Sequence, residues 1–258
     1  MNPWLALLAV GAACWSAWRE LAVRTPDLYA ALPLFMVIGA LSVPLLRASE
    51  PRTVPAAPLV FLLIVYALAV IVAPPLLRIA PATLALCYCL HAAHADGAPR
   101  ASFYGLTLLA LPVLPSLEFY AAYPVRLAAV HVSAALLRMN GIAVGTEGLA
   151  LRFGTQLVQF DAPCSGVRML WTCWFLASAL AYLYRFPWWR YALTLLLAAL
   201  IAIAGNILRA TSLFYLEANL LAVGEVPWLH DAVGIAAFCL TALVLCLLVR
   251  PPSRAVHA

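Results

Sequence analysis

The chain has 258 residues, of which 66% are hydrophobic and 10% charged, and its mean hydropathy is +1.01. That composition excludes a water-soluble domain of this size and places nearly all of the chain in or near a bilayer. The formal charge of +5 comes from 15 basic residues, every one an arginine, so it speaks to membrane topology and not to nucleic-acid binding.

A membrane-crossing helix needs about 20 apolar residues. Eight runs are candidates, at roughly 3–18, 28–46, 57–77, 79–95, 102–121, 164–184, 188–214 and 228–249. The first and fourth are short, and the joint at Pro74-Pro75 also fits a kink within a reentrant pair. No basic segment precedes the first run, which reads as a retained span and not a cleaved signal. No internal repeat or low-complexity linker is evident.

Residues 122–162 differ from their surroundings. Val125 to Met139 reads as an amphipathic helix marked by Arg126, His131 and Arg138. Turn glycines follow (Gly141, Gly145, Gly148, Gly154), with alternation in Leu149 to Phe153 and Gln156 to Phe160, the pattern of a small hairpin. Unpaired strand edges cannot face lipid, so this segment belongs at the interface. The expected fold is an all-α polytopic membrane protein of about eight transmembrane helices, with a small extracytoplasmic amphipathic helix and β-hairpin before span six. It reads as one integral membrane domain over 1–258. Five N-terminal spans fill 1–121, the interfacial segment 122–162, a three-span core 163–249 and a cytoplasmic tail 250–258.

Arginine positions orient it. With the N-terminus inside, cytoplasmic loops hold Arg47, Arg52, Arg100, Arg185, Arg190, Arg250 and Arg254, against Arg19, Arg24 and Arg78 in the short outer loops. Both termini are therefore expected inside. The start of span six, the end of span seven and the start of span eight then share the outer face.

Six of the seven cysteines (Cys14, Cys87, Cys89, Cys173, Cys239, Cys246) lie inside apolar runs, which argues against a disulfide framework. Cys164 alone sits at a boundary, in Asp161-Ala-Pro-Cys-Ser-Gly-Val-Arg168. Pro163 suits a helix's first turn. Cys164 would then face free N–H groups and the positive end of the helix dipole, a setting that favours a thiolate. Arg168 would follow on the same face one turn deeper. A small apolar residue at a helix start reads the same way on Cys164 alone. Span seven ends Gly205-Asn-Ile-Leu-Arg-Ala-Thr-Ser212. Arg209 lies within an apolar helix, where an ionisable group is costly, and Asn206 shares its face. The competing reading is an arginine snorkelling to the interface. Span eight opens with Trp228-Leu-His-Asp231, and His230 by itself also reads as a polar anchor. A Cys, an Arg and a His from three spans at one depth fit nucleophilic acyl transfer. The thiolate attacks a carbonyl, His230 moves protons, and the permanently charged guanidinium steadies the oxyanion.

Pro163-Cys-Ser-Gly-Val-Arg168, Asn206-Ile-Leu-Arg209, His230 and the lead-in Phe160-Asp-Ala162 resemble the exosortase/archaeosortase family over roughly 140–235. Pro163 departs from the family pattern, where a small residue is common. The resemblance implies a membrane-embedded cysteine protease/transpeptidase without metal or other cofactor. Its substrates would be exported proteins with a C-terminal tripartite sorting signal (a Pro-Glu-Pro-like motif, a transmembrane helix, a basic cluster). It further implies a bacterial inner membrane with the site facing the periplasm and exopolysaccharide machinery as a partner. The chain ends soon after span eight, so no extra periplasmic domain is expected. Carried over by position, Cys164 is the nucleophile, Arg209 stabilises the transition state and His230 is the general acid/base. Arg168, Asn206, Ser165 and Asp231 bind substrate or support the site.

Other constellations compete. Cys87, His91 and His94 fall on one helical face and have metal- or haem-ligand character, or form a polar helix end near an interface. Glu118, Glu217 and Glu225 read as solvated, or as partners for a basic part of the substrate. A transporter, flippase or structural subunit linked to exopolysaccharide export suits helices broken by Pro33, Pro44, Pro112 and Pro115. A rhomboid-like serine protease would use Ser165 with His230.

Overall fold

The computed structural model describes residues 1–25, 28–47, 52–93, 100–159, 166–218 and 227–250. Among them are ten α-helices and three short strands, in two compact units.

The first unit holds α1 (Pro3–Ala13), α2 (Trp15–Arg24), α3 (Leu28–Arg47), α4 (Ala56–Val72), α5 (Pro75–Ala92) and α6 (Ala101–Leu109). Helix α5 is its hub and packs on α1, α2, α3, α4 and α6. The core joins Val10, Cys14, Leu59, Ala82, Ala85 and Cys89, and the alanines among them let helices approach closely. The expected first span is bent by 68° between α1 and α2. Trp18 Nε1 reaches back across that bend to the carbonyl of Gly11 at 3.1 Å. Cys87 and His91 lie buried one turn apart on α5, and the His91 ring stands 5.1 Å from that of Phe103. His94 lies outside the described residues. Among the described residues, no three His, Cys, Asp or Glu side chains gather as a metal site.

The second unit holds α7 (Leu114–Met139), β1 (Gly145–Glu147), β2 (Ala150–Phe153), β3 (Gln156–Gln159), α8 (Val167–Leu183), nearly all of α9 (Trp188–Glu217) and α10 (Pro227–Val249). The strands make an antiparallel meander, β1-β2-β3, with Leu151 opposite Val158. This is one strand more than a hairpin. Leu151 and Val158 turn onto a core with Ala129, Val130, Ala134 and Leu137 of α7 and Ala210 and Phe214 of α9. Arg138 Nε bonds the carbonyl of Val144 at 2.9 Å, which ties the lead-in of β1 to the end of α7, and Asn140 Nδ2 bonds Tyr215 Oη at 3.1 Å, which ties the end of α7 to that of α9.

Two expectations are corrected here. A single span over 102–121 does not form, because the helix stops after Leu109 and restarts at Leu114. Pro112 lacks an N–H and pushes the residue before it out of the helical region, while Pro115 fits the first turn of the new helix. The amphipathic helix over 125–139 is likewise not separate. It is the second half of the 26-residue α7, which runs on through Pro124. Among the described residues, α7, α9 and Asp231–Val249 within α10 are long and apolar enough to cross a membrane, or four spans if α1 and α2 make one broken span. Four shorter apolar helices (Ala31–Leu46, Ala56–Val72, Leu77–Ala92, Val167–Leu183) fall below that length, so helix length alone does not give the eight crossings expected.

The three helices that carry the sequence motifs are drawn together at Gly205. A Cβ on Gly205 of α9 would lie 2.2 Å from Thr241 Oγ1 of α10 and 3.3 Å from Met169 Sδ of α8. Thr241 Oγ1 is itself tied to the carbonyl of Ala237 at 2.6 Å. Gly205→Ala should therefore lower stability by roughly 1–3 kcal/mol, the usual cost of overpacking. Adding Thr241→Ala removes the clashing oxygen and should restore most of the loss in a detergent melting curve. A single variant that melts like the native protein would contradict this contact.

Candidate active site

Helix α8 begins at Val167, not at Pro163. Its cap is Gly166, at φ 75° and ψ −6°, whose carbonyl accepts the first helical bond from the Leu170 N–H at 2.9 Å. The left-handed conformation at Gly166 marks where the described helical backbone begins. Cys164 and Ser165 themselves lie outside the described residues. Asn206 explains why position 166 needs a glycine twice over. A Cβ there would sit 2.6 Å from Asn206 Nδ2 and 2.7 Å from its Cγ. The Gly166 backbone thus rests directly on the buried Asn206 amide.

One turn along α9 from Asn206, the half-buried Arg209 reaches α10. A Cβ on Gly234 would lie 3.3 Å from Arg209 Nε and 3.5 Å from one Nη, so the guanidinium is laid against a bare stretch of α10 backbone. His230 is one turn before Gly234 in that helix, within its first turn as expected, and its side chain is outside the described set. Asp231 follows and is exposed.

These groups surround one open cavity of about 470 Å³. Its polar wall is Arg168 and Thr172 of α8, Asn206 and Arg209 of α9 and Asp231 of α10, with Gly166 and Gly234 as its bare backbone. The structure therefore brings together Arg168, Asn206, Arg209 and Asp231 of the expected set. A smaller apolar pocket of about 200 Å³ lies behind the Gly166–Asn206 contact, walled by Pro124, Val125, Leu170, Ile203 and Ile207 among others. The buried amide thus separates a charged cavity from an apolar one.

A family model described as transmembrane exosortase (Exosortase_EpsH) matches residues 2–247. The chain belongs to the transmembrane exosortase family. The match takes in both units of this exosortase-family protein, well beyond the 140–235 stretch that carries the motifs. No curated protein and no solved structure matches the chain.

Glu118, which reads from the sequence as solvated or as a partner for a basic part of the substrate, is paired within the protein. Its Oε1 accepts from Arg168 Nε at 2.7 Å, across 50 residues of sequence. A carboxylate near the end of an apolar run was the available signal, since such groups are costly unless paired. Glu217 closes α9, and Glu225 lies outside the described residues.

Proposed function

We propose that the chain is an intramembrane cysteine protease/transpeptidase, with its site at the outer face of a bacterial inner membrane. It cleaves the C-terminal sorting signal of exported proteins through a Cys164 acyl-enzyme. Membership of the transmembrane exosortase family supports this reading. The observation that carries it is the seating of Gly166 on Asn206 at the edge of a cavity that also holds Arg209. Cys164 is two peptide units from Gly166, so chain geometry alone keeps their Cα atoms within about 7 Å. The nucleophile is thereby tethered close to the asparagine one turn from the arginine.

In this reading the Cys164 thiolate attacks the scissile carbonyl carbon. The C=O electron pair moves onto oxygen, and the Arg209 guanidinium stabilises that oxyanion. The pair then returns, the C–N bond breaks, and His230 as imidazolium gives its proton to the leaving amine. A thioester on Cys164 remains. Attack by water completes hydrolysis, and attack by an amine completes transfer. In either case His230 takes the proton from the incoming nucleophile and the Cys164 thiolate is released, which restores the starting pair. Arg209 suits its part because a guanidinium keeps its charge at any working pH.

Co-expression with a tripartite-tail protein tests this, with tail removal followed by gel shift. Native protein should process the tail, while Cys164→Ala and Cys164→Ser should both abolish processing. Processing that persists in Cys164→Ser but not in Cys164→Ala would move the chemistry to a hydroxyl nucleophile. Persistence in both would place it in another protein.

A further inference from the structure

We propose that Glu118 is a positioning residue of this site, which fixes the Arg168 guanidinium so that its Nη edge faces the cavity and is offered to substrate. The proposal deepens the peptide-processing reading above and rests on it.

Arg168 lies in the first turn of α8 and lines the cavity, while Glu118 is on α7, outside the cavity wall. Their contact is single-pronged, from Nε to Oε1 at 2.7 Å. A guanidinium has five N–H donors in a rigid fork, so a bond at Nε leaves the four Nη donors for other partners while fixing the plane of the fork. The Arg168 side chain is 70% exposed and that of Glu118 33%. A pair this little packed by the rest of the protein adds little to its core, and its consequence is orientation. Free in water, the long arginine side chain would sample many rotamers, and binding would have to order it. Held by Glu118, it is ordered in advance.

Charge around the cavity gives the chemistry of the ligand group. The described lining has two cations, Arg168 and Arg209, against one carboxylate, Asp231. Arg209 is laid on α10 at Gly234, whereas Arg168 is more exposed and, among the described residues, bonds only Glu118 through its side chain. A planar, two-oxygen acceptor fits that fork end-on. The geometry therefore assigns Arg168 a carboxylate, or a peptide carbonyl pair, of the chain that enters the cavity.

The test separates orientation from simple tethering of α7 to α8. Full-length Cys164→Ala protein in detergent is titrated with a fluorescent peptide bearing the tripartite tail, and the native background is assayed for processing of the same tail. Glu118→Ala should weaken peptide binding about tenfold and raise KM with little change in kcat and no change in melting temperature. Glu118→Asp should recover part of the loss. The exchanged pair, Glu118→Arg with Arg168→Glu, keeps a tether but points a carboxylate at the cavity, and it should bind no better than Arg168→Ala. The proposal is overturned if Glu118→Ala binds the peptide as tightly as its parent, or if the exchanged pair restores binding. The peptide-processing reading fails separately, if the native background processes the tail equally well with Cys164→Ala.

Discussion

Gly166→Ala should abolish tail processing, by at least about 100-fold, although it adds one methyl group to a residue that performs no chemistry. Two costs coincide at this position. The backbone sits at φ 75°, in the left-handed region, where an L side chain costs roughly 1–2 kcal/mol. The added methyl would also lie 2.6 Å from Asn206 Nδ2 and 3.1 Å from its Cβ, distances that force one partner to move. Asn206 is buried and cannot swing into solvent, so the cap of α8 has to lift away from α9. That movement shifts the chain two residues before it, where Cys164 is attached. Overpacking of this sort adds roughly 1–3 kcal/mol. Gly148→Ala and Gly154→Ala are the matched controls. Both positions also have positive φ, at 58° and 59°, but nothing lies within 4 Å of a Cβ at either. Each should lower melting by the backbone cost alone and leave processing intact. If Gly166→Ala processes the tail at a rate near that of these controls, the Gly166–Asn206 contact is not what aligns the site.

The motifs were legible because they obey short-range rules. Asn206 and Arg209 are three residues apart in one long apolar helix, so their shared face follows from helical spacing, and both line the same cavity. The cost of an ionisable group among apolar neighbours likewise singles out Arg209 from the sequence alone. Misreadings arose where two local rules compete or where partners are distant in sequence. Pro163 is a good first-turn residue, but Gly166 caps the helix three residues later because its backbone must meet Asn206, 40 positions away. Apolar content over 102–121 looks continuous, yet Pro112 breaks the helix, while Pro124 leaves α7 unbroken. Proline chemistry alone does not tell these two apart. Glu118 could be suspected from its setting, but its partner Arg168 could not, since no spacing rule links residues 50 apart on different helices.

Arg209→Lys should cut processing by about 10²–10³-fold, the usual loss when an oxyanion donor is removed, while the protein still inserts and melts normally. This substitution decides between two explanations of an arginine inside an apolar helix. An arginine that merely snorkels is exchangeable for lysine, because both stems lie along apolar surface and both heads reach water. An arginine that stabilises charge by the shape of its fork is not, because an ammonium is a point charge on a different reach. The guanidinium is laid on Gly234 of α10, so its position as well as its charge is open to test. A graded series at Gly234 tests the same idea without altering Arg209. Gly234→Ala places a methyl 3.3 Å from Nε, which the end of a flexible side chain absorbs by a few tenths of an ångström, so less than about tenfold loss is expected. Gly234→Leu fills the space that the guanidinium occupies and should reproduce the Arg209→Lys defect with the charge still present. Initial processing rates, with melting curves for each variant, give the comparison. Native rates for Arg209→Lys would leave Arg209 an interfacial anchor. Native rates for Gly234→Leu would mean that the position of the guanidinium against α10 does not matter to the reaction.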